Sequence, residues 1–164
     1  MQHLELGEVE GIEHVQKLPV FARLTYAETA RLAKLVHHET RAAGEVIIER
    51  NALGEALYVV LEGEVRVTRG GPGQEEGEPL GRLGVGELFG EMSLVDDLLT
   101  SARVTASRET RLLVLPRAEF QALMAAEQAL ALKVYRAFCQ TLSARLRRVN
   151  ELLSGEQAFS VGVR

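Results

Sequence analysis

The chain has a single cysteine, Cys139, so no internal disulfide can form, and its place in a helical pattern suggests a buried, inert thiol. No run of about eighteen apolar residues occurs, which excludes a membrane-spanning helix. The acidic start, with Glu5, Glu8, Glu10 and Glu13, is not a signal peptide, so a cytoplasmic protein is expected. Basic excess is also missing: the net charge is −4, against the surplus that binding to a phosphate backbone requires. Catalytic signatures are lacking too. There is no Cys-His pair, no Gly-x-Ser-x-Gly elbow and no Gly-x-x-x-x-Gly-Lys loop. His3 and His14 are isolated, and His37-His38, placed ahead of the strands, are adjacent, so a strand would aim them to opposite faces and no metal sphere could be filled. The chain is therefore not expected to be an enzyme.

What is present falls into three zones of one domain, residues 1–153, followed by a tail at 154–164 with glycines and no period, expected to be disordered. Residues 8–38 carry Ile12, Val15, Leu18, Phe21, Leu24, Leu32, Leu35 and Val36 at three- and four-residue steps. Pro19 interrupts them, and Thr25 and Glu28 are spaced as a capping box. In residues 44–115, Val46/Ile48, Leu57/Val59/Leu61 and Val65/Val67 alternate at period two between turn residues, as short antiparallel strands do. The glycine-rich stretch 70–79 reads as an exposed hairpin tip. Many short strands at nearly even spacing imply a sandwich or jelly roll. Pro116 suits the start of a helix at Arg117, and a longer helix to Leu153 follows within 117–153. Its stripe of Tyr135, Phe138, Leu142, Leu146, Val149 and Leu153 runs too far for a small barrel to cover, so part is expected to pack on a second copy. Arg145, Arg147 and Arg148 read as a solvated basic face.

The densest information lies in Gly86-Glu87-Leu88-Phe89-Gly90-Glu91-Met92-Ser93-Leu94 and, seven residues on, Ser101-Ala102-Arg103-Val104-Thr105-Ala106. A glycine at a tight turn, one carboxylate, an apolar cover and a small hydroxyl residue entering a strand suit a pocket for a phosphate-bearing sugar. The stretch resembles the phosphate-binding cassette of cyclic nucleotide-binding domains. These domains occur in bacterial catabolite-activator-type regulators, in the regulatory subunit of cyclic-AMP-dependent kinase and in cyclic-nucleotide-gated channels. Leu18-Pro19-Val20-Phe21, Ala43-Gly44-Glu45-Val46-Ile47 and Ala56 to Val65 follow the same family's order and spacing.

The resemblance implies a mainly β fold, a double-stranded β-helix (jelly roll) of about eight strands with N-terminal helices and a long C-terminal helix. It implies a ligand site of Phe89, Gly90, Glu91, Met92, Ser93, Thr100, Ser101, Ala102 and Asn150. Glu91 would accept the ribose 2′-hydroxyl through a charge-assisted bond. The N–H groups of the short helix after Phe89-Gly90 and those of Ser101 and Ala102 would face the phosphate. Asn150 would touch the base edge, and Leu88, Met92 and Leu94 would also pack.

The chain departs from the family at Thr100, where an arginine is placed on the cyclic phosphate. Losing a charged partner costs about 1.5–3 kcal/mol, roughly ten- to a hundredfold or more in affinity, which weakens a site without erasing it. Asp96 and Asp97 would oppose an anion. Arg103, three residues on, projects to the other strand face from Thr100, and Arg82 reaches the site only if its loop folds inward. Two readings stay open. One is a stand-alone regulatory sensor binding cyclic AMP, cyclic GMP or a related anionic small molecule and signalling through its C-terminal helix to a partner or a homodimer. The other is a degenerate fold that binds no nucleotide and serves as a dimerisation or protein-interaction module. No cofactor, metal or membrane is implied. The segment after Leu153 is too short for a winged helix-turn-helix, so direct DNA binding is not expected.

Overall fold

A computed structural model describes residues 6–70, 73 and 77–161, with side chains described over 11–70, 73 and 77–155. Helix α1 (Leu6–Lys17) ends before a single 3-10 turn at Pro19–Phe21, the break expected at Pro19. Helix α2 (Tyr26–Ala33) opens with the expected capping box. The Thr25 N–H donates to Glu28 Oε2 at 2.8 Å, and the Glu28 N–H donates to Thr25 Oγ1 at 3.2 Å, so two otherwise orphaned donors are satisfied.

Eight strands follow: β1 (His37–Arg41), β2 (Val46–Ile48), β3 (Ala56–Glu62), β4 (Val65–Thr68), β5 (Pro79–Leu83), β6 (Leu88–Phe89), β7 (Arg103–Ala106) and β8 (Thr110–Pro116). They form two antiparallel four-stranded sheets, ordered β1-β8-β3-β6 and β2-β7-β4-β5. The roll starts earlier than expected. Strand β1 takes His37 and His38 from the end of the helical zone 8–38 and Glu39 to Arg41 from the stretch between the zones, so His37-His38 are part of the roll. Its His-His-Glu-Thr-Arg sequence is largely exposed, so it carries no apolar alternation to betray it. The hairpin-tip expectation at 70–79 falls largely outside the described residues.

Strand β3 shows why two sheets and the helices form one unit. Ala56 to Val60 are buried without a break, so both faces of the strand are covered. Leu57 and Val59, with Leu113 and Leu115 of β8, pack on Val15, Leu32, Phe120, Leu130, Val134 and Phe138 from the helices. Tyr58 and Val60, with Leu112 and Val114, turn the other way onto Val65, Phe89 and Val104 between the sheets. The period-two geometry of a strand separates these cores, and each large apolar side chain so buried contributes about 1.5–3 kcal/mol.

Short helix α3 (Met92–Val95) lies between β6 and β7, and α4 (Arg117–Ala126) begins directly after Pro116. The last helix, α5 (Gln128–Val161), anchors its first half in the helical core through Leu130, Val134 and Phe138. Cys139 follows that buried row by one residue, which turns it about 100° away, and it is exposed rather than buried. The helix does not stop at Leu153. Glu156, Gln157 and Ala158 are good helix formers and no proline intervenes, so helical backbone runs on through Val161; residues 162–164 lie outside the described residues. Leu146, Val149, Leu152 and Leu153 on its second half are 50–65% exposed. No helix among the described residues is long and apolar enough to cross a membrane.

Candidate ligand pocket

The β6–α3 turn requires glycine at position 90. Its φ is 85°, and a Cβ there would lie 2.5 Å from the Ala56 carbonyl oxygen. This close approach lets the chain turn against β3, while Phe89 stacks on Tyr58 at 5.0 Å between ring centroids. The turn then presents Glu91 to a cavity of about 370 Å³. Phe89, Gly90, Glu91, Met92, Ser93, Thr100, Ser101 and Ala102 all line it, so eight of the nine residues expected at the site come together.

Asn150 is the exception. It is exposed and does not line the cavity; the face of α5 that does is Arg145, Arg148, Val149 and Leu152, at i, i+3, i+4 and i+7. Asn150 is one residue round from that face. Leu88 and Leu94 are buried in the helical core, as expected of packing residues.

Glu91 is 2% exposed. Arg145 is not a solvated surface residue as the sequence suggested. Its guanidinium donates to Glu91 Oε1 at 2.5 Å and to the Leu88 carbonyl oxygen. Burial pushes the Glu91 carboxyl above the ordinary carboxylate range, and the Arg145 charge opposes that rise. Helical periodicity alone could not single out Arg145 among three neighbouring arginines. Its partner lies 54 residues away.

Thr100 faces the cavity with its hydroxyl already engaged. The Oγ1 donates to the Glu49 carbonyl and accepts from the Ala52 N–H at 3.0 Å, pinning the β2–β3 loop. Arg103 does project elsewhere, onto Glu49 at 3.0 Å, away from the cavity lining. Arg82 lines the mouth and holds Glu64 at 2.9 Å. Asp96 and Asp97 do not line the cavity: Asp97 pairs with Arg117, and Asp96 accepts the Leu98 N–H at 3.1 Å. The expected acidic pair therefore contributes no carboxylate to the cavity lining, and Asp97 has a cation as its partner. Among the described residues no group of three His, Cys, Asp or Glu side chains is placed to hold a metal ion.

The model of the cyclic nucleotide-binding domain matches residues 39–127, which take in the roll from β1 and the whole cassette. The chain belongs to the cyclic nucleotide-binding domain family. It is 36% identical over 143 residues to the cyclic AMP receptor protein of Thermus thermophilus, covering 85% of this chain and 64% of that protein. It is 30% identical over 112 residues to a cAMP-dependent protein kinase regulatory subunit of Eremothecium gossypii, covering 68% and 23%. The chain thus spans less than two thirds of the length of these curated relatives. The crystal structure of a cyclic nucleotide-binding domain from Methylobacillus flagellatus superposes with a TM-score of 0.76 at 27% identity, covering 93% of this chain and 88% of that one. The cyclic nucleotide-binding fold accounts for the two sheets, the helices at each end and the position of the cassette.

Proposed function

We propose that this chain is a regulatory sensor that binds a cyclic nucleotide, or a related anionic small molecule, between the cassette and helix α5. The observation that carries the reading is the convergence of Gly90, Glu91, Ser93, Ser101 and Ala102 on one wall of a cavity whose other wall is α5. Its 370 Å³ falls within the range of about 300–1,000 Å³ usual for small-molecule sites. Arg145 engages one oxygen of Glu91, and a carboxylate has about four acceptor positions, so a ribose hydroxyl can share it. Cyclic AMP, which the names of the relatives carry, is the first ligand to test here, with cyclic GMP beside it.

Binding would be read out through α5, whose exposed Leu146, Val149 and Leu153 continue the spacing of Leu142 at i+4, i+7 and i+11. That is a heptad seam, suited to a second copy of the chain. Leu146→Asp with Leu153→Asp should turn a dimer into a monomer in sedimentation velocity. A wild-type chain that sediments as a monomer at 100-fold the assay concentration would remove the dimer from the scheme.

Calorimetric titration with both nucleotides tests the ligand. Heat is expected with modest affinity, and it should vanish in Glu91→Ala. The alternative, a protein-interaction module without a nucleotide, is favoured by one observation: the Thr100 hydroxyl is already spent on the backbone of Glu49 and Ala52. No heat from either nucleotide at millimolar concentration would leave that module as the function.

A further inference from the structure

We propose that Arg148 on α5, the helix that covers one side of the cavity and is its lid, supplies the positive charge for the ligand's anionic group, a charge that the cassette lacks. The inference rests on the nucleotide reading above and concerns how the same cavity recognises an anion without the arginine that Thr100 replaces.

Five charged side chains line the cavity: Arg82, Glu87, Glu91, Arg145 and Arg148. Four have work within the protein. Arg145 is paired with Glu91, Arg82 with Glu64, and Glu87 accepts the Gly84 N–H through Oε2 at 2.8 Å. Arg148 is exposed at the mouth, and no ion pair among the described residues includes it. On the opposite wall Thr100 offers a neutral hydroxyl that is already bonded. The cassette wall therefore has a hydroxyl acceptor, Glu91, and no cation, while the lid has a guanidinium to spare.

Helical geometry sets the layout. Arg148 follows Arg145 by three residues, about 4.5 Å along the axis and on the same face. Because Arg145 rests on Glu91, Arg148 starts about one turn further along the same face of α5, within the cavity lining. A ligand whose hydroxyl meets Glu91 would meet Arg148 with an anionic group one helical turn away. A guanidinium is matched to phosphate oxygens in pairs, so the contact ties α5 to the ligand's anionic group. Anion recognition and lid closure become one contact.

The test compares cyclic AMP with adenosine, which keeps the ribose 2′-hydroxyl and the base and has free 3′- and 5′-hydroxyls in place of the cyclic phosphate, using calorimetry on the full chain at 50 and 200 mM salt. Arg148→Gln should weaken cyclic AMP about tenfold, flatten its salt dependence and leave adenosine unchanged; Arg148→Lys should retain most of the cyclic AMP affinity. An unchanged cyclic AMP affinity in Arg148→Gln overturns the proposal, as does an equal loss for both probes, which would assign Arg148 to packing. Wild-type chain that binds neither probe defeats the nucleotide reading itself, an outcome distinct from failure of the Arg148 assignment alone.

Discussion

Arg145 of the long helix reaches Glu91 of the cassette at 2.5 Å, so an ion pair on the cavity wall joins the lid to the turn that lines the site. Glu91 is almost fully buried while Arg145 keeps a third of its side chain in solvent. The pair therefore acts mainly by compensating a carboxylate that water cannot reach.

Arg145→Ala is expected to cost about 2 kcal/mol of unfolding free energy at pH 8, less than a fully buried pair would lose because Arg145 is partly solvated. The sign of the pH effect follows from burial. A carboxyl raised above its ordinary value of 4.5 binds its proton more tightly in the folded chain, so its stabilising contribution is full below 4.5 and is lost as pH rises through the folded pKa. Without Arg145 the rise is larger. Urea unfolding should accordingly show the defect shrinking on acidification, and Glu91→Gln should recover most of it at pH 8. A defect independent of pH and of Glu91 would assign Arg145 to packing.

Gly90→Ala should destabilise the fold by about 3 kcal/mol, from the left-handed backbone and from the Cβ driven into the Ala56 carbonyl. Gly44→Ala is the control. Gly44 has nearly the same φ, 84°, with nothing within 4 Å of a Cβ, so about 1 kcal/mol is expected. Equal losses in denaturant titrations would mean that the clash against β3 does not exist.

Thr100→Val keeps the shape and removes the hydroxyl that ties Glu49 to Ala52. It should cost about 2 kcal/mol, with Thr100→Ser close to wild type. Thermal melts of the two variants decide the point; a harmless valine would show that the threonine is not a structural tie.

Glu28 predicts a second pH dependence, of opposite sign. Lys133 of α5 donates to both of its oxygens, at 2.8 and 3.0 Å, and with the Thr25 N–H holds the carboxyl below its ordinary range. That contribution is present above 4.5 and is lost as pH falls through the lower folded pKa. Lys133→Met should therefore cost about 1 kcal/mol near neutrality and nothing once Glu28 is protonated in both chains. A difference that persists in acid would point to lost helix packing instead.

Most of the roll, and the eight expected residues that line the cavity, could be placed from the chain because their signals are local. An apolar run bounded by turn residues marks β3, alternation marks β4, the Thr25–Glu28 spacing marks a helix start, and Gly90-Glu91 with Ser101-Ala102 carries the cassette. Strand β1 escaped because an exposed strand needs no apolar alternation. Asn150 was misplaced because a one-residue error on a helix turns a side chain by about 100°. Cys139 was expected to be buried from its place in a helical pattern, but it lies one residue past the buried Phe138 and so turns outward.

By itself the sequence determined where most helices and strands form and which residues make up the cassette, since backbone geometry and hydrophobic periodicity act over a few neighbours, whereas the pairing of distant strands was set by the fold. The tertiary structure alone decided what those residues do to one another. That Arg145 rather than solvent meets Glu91 and that Arg148 lines the cavity depend on how α5 lies across the roll, and that Thr100 turns its hydroxyl to the backbone depends on how the β2–β3 loop folds over it. Contacts between groups some fifty residues apart depend on how whole elements pack, and no local pattern encodes that.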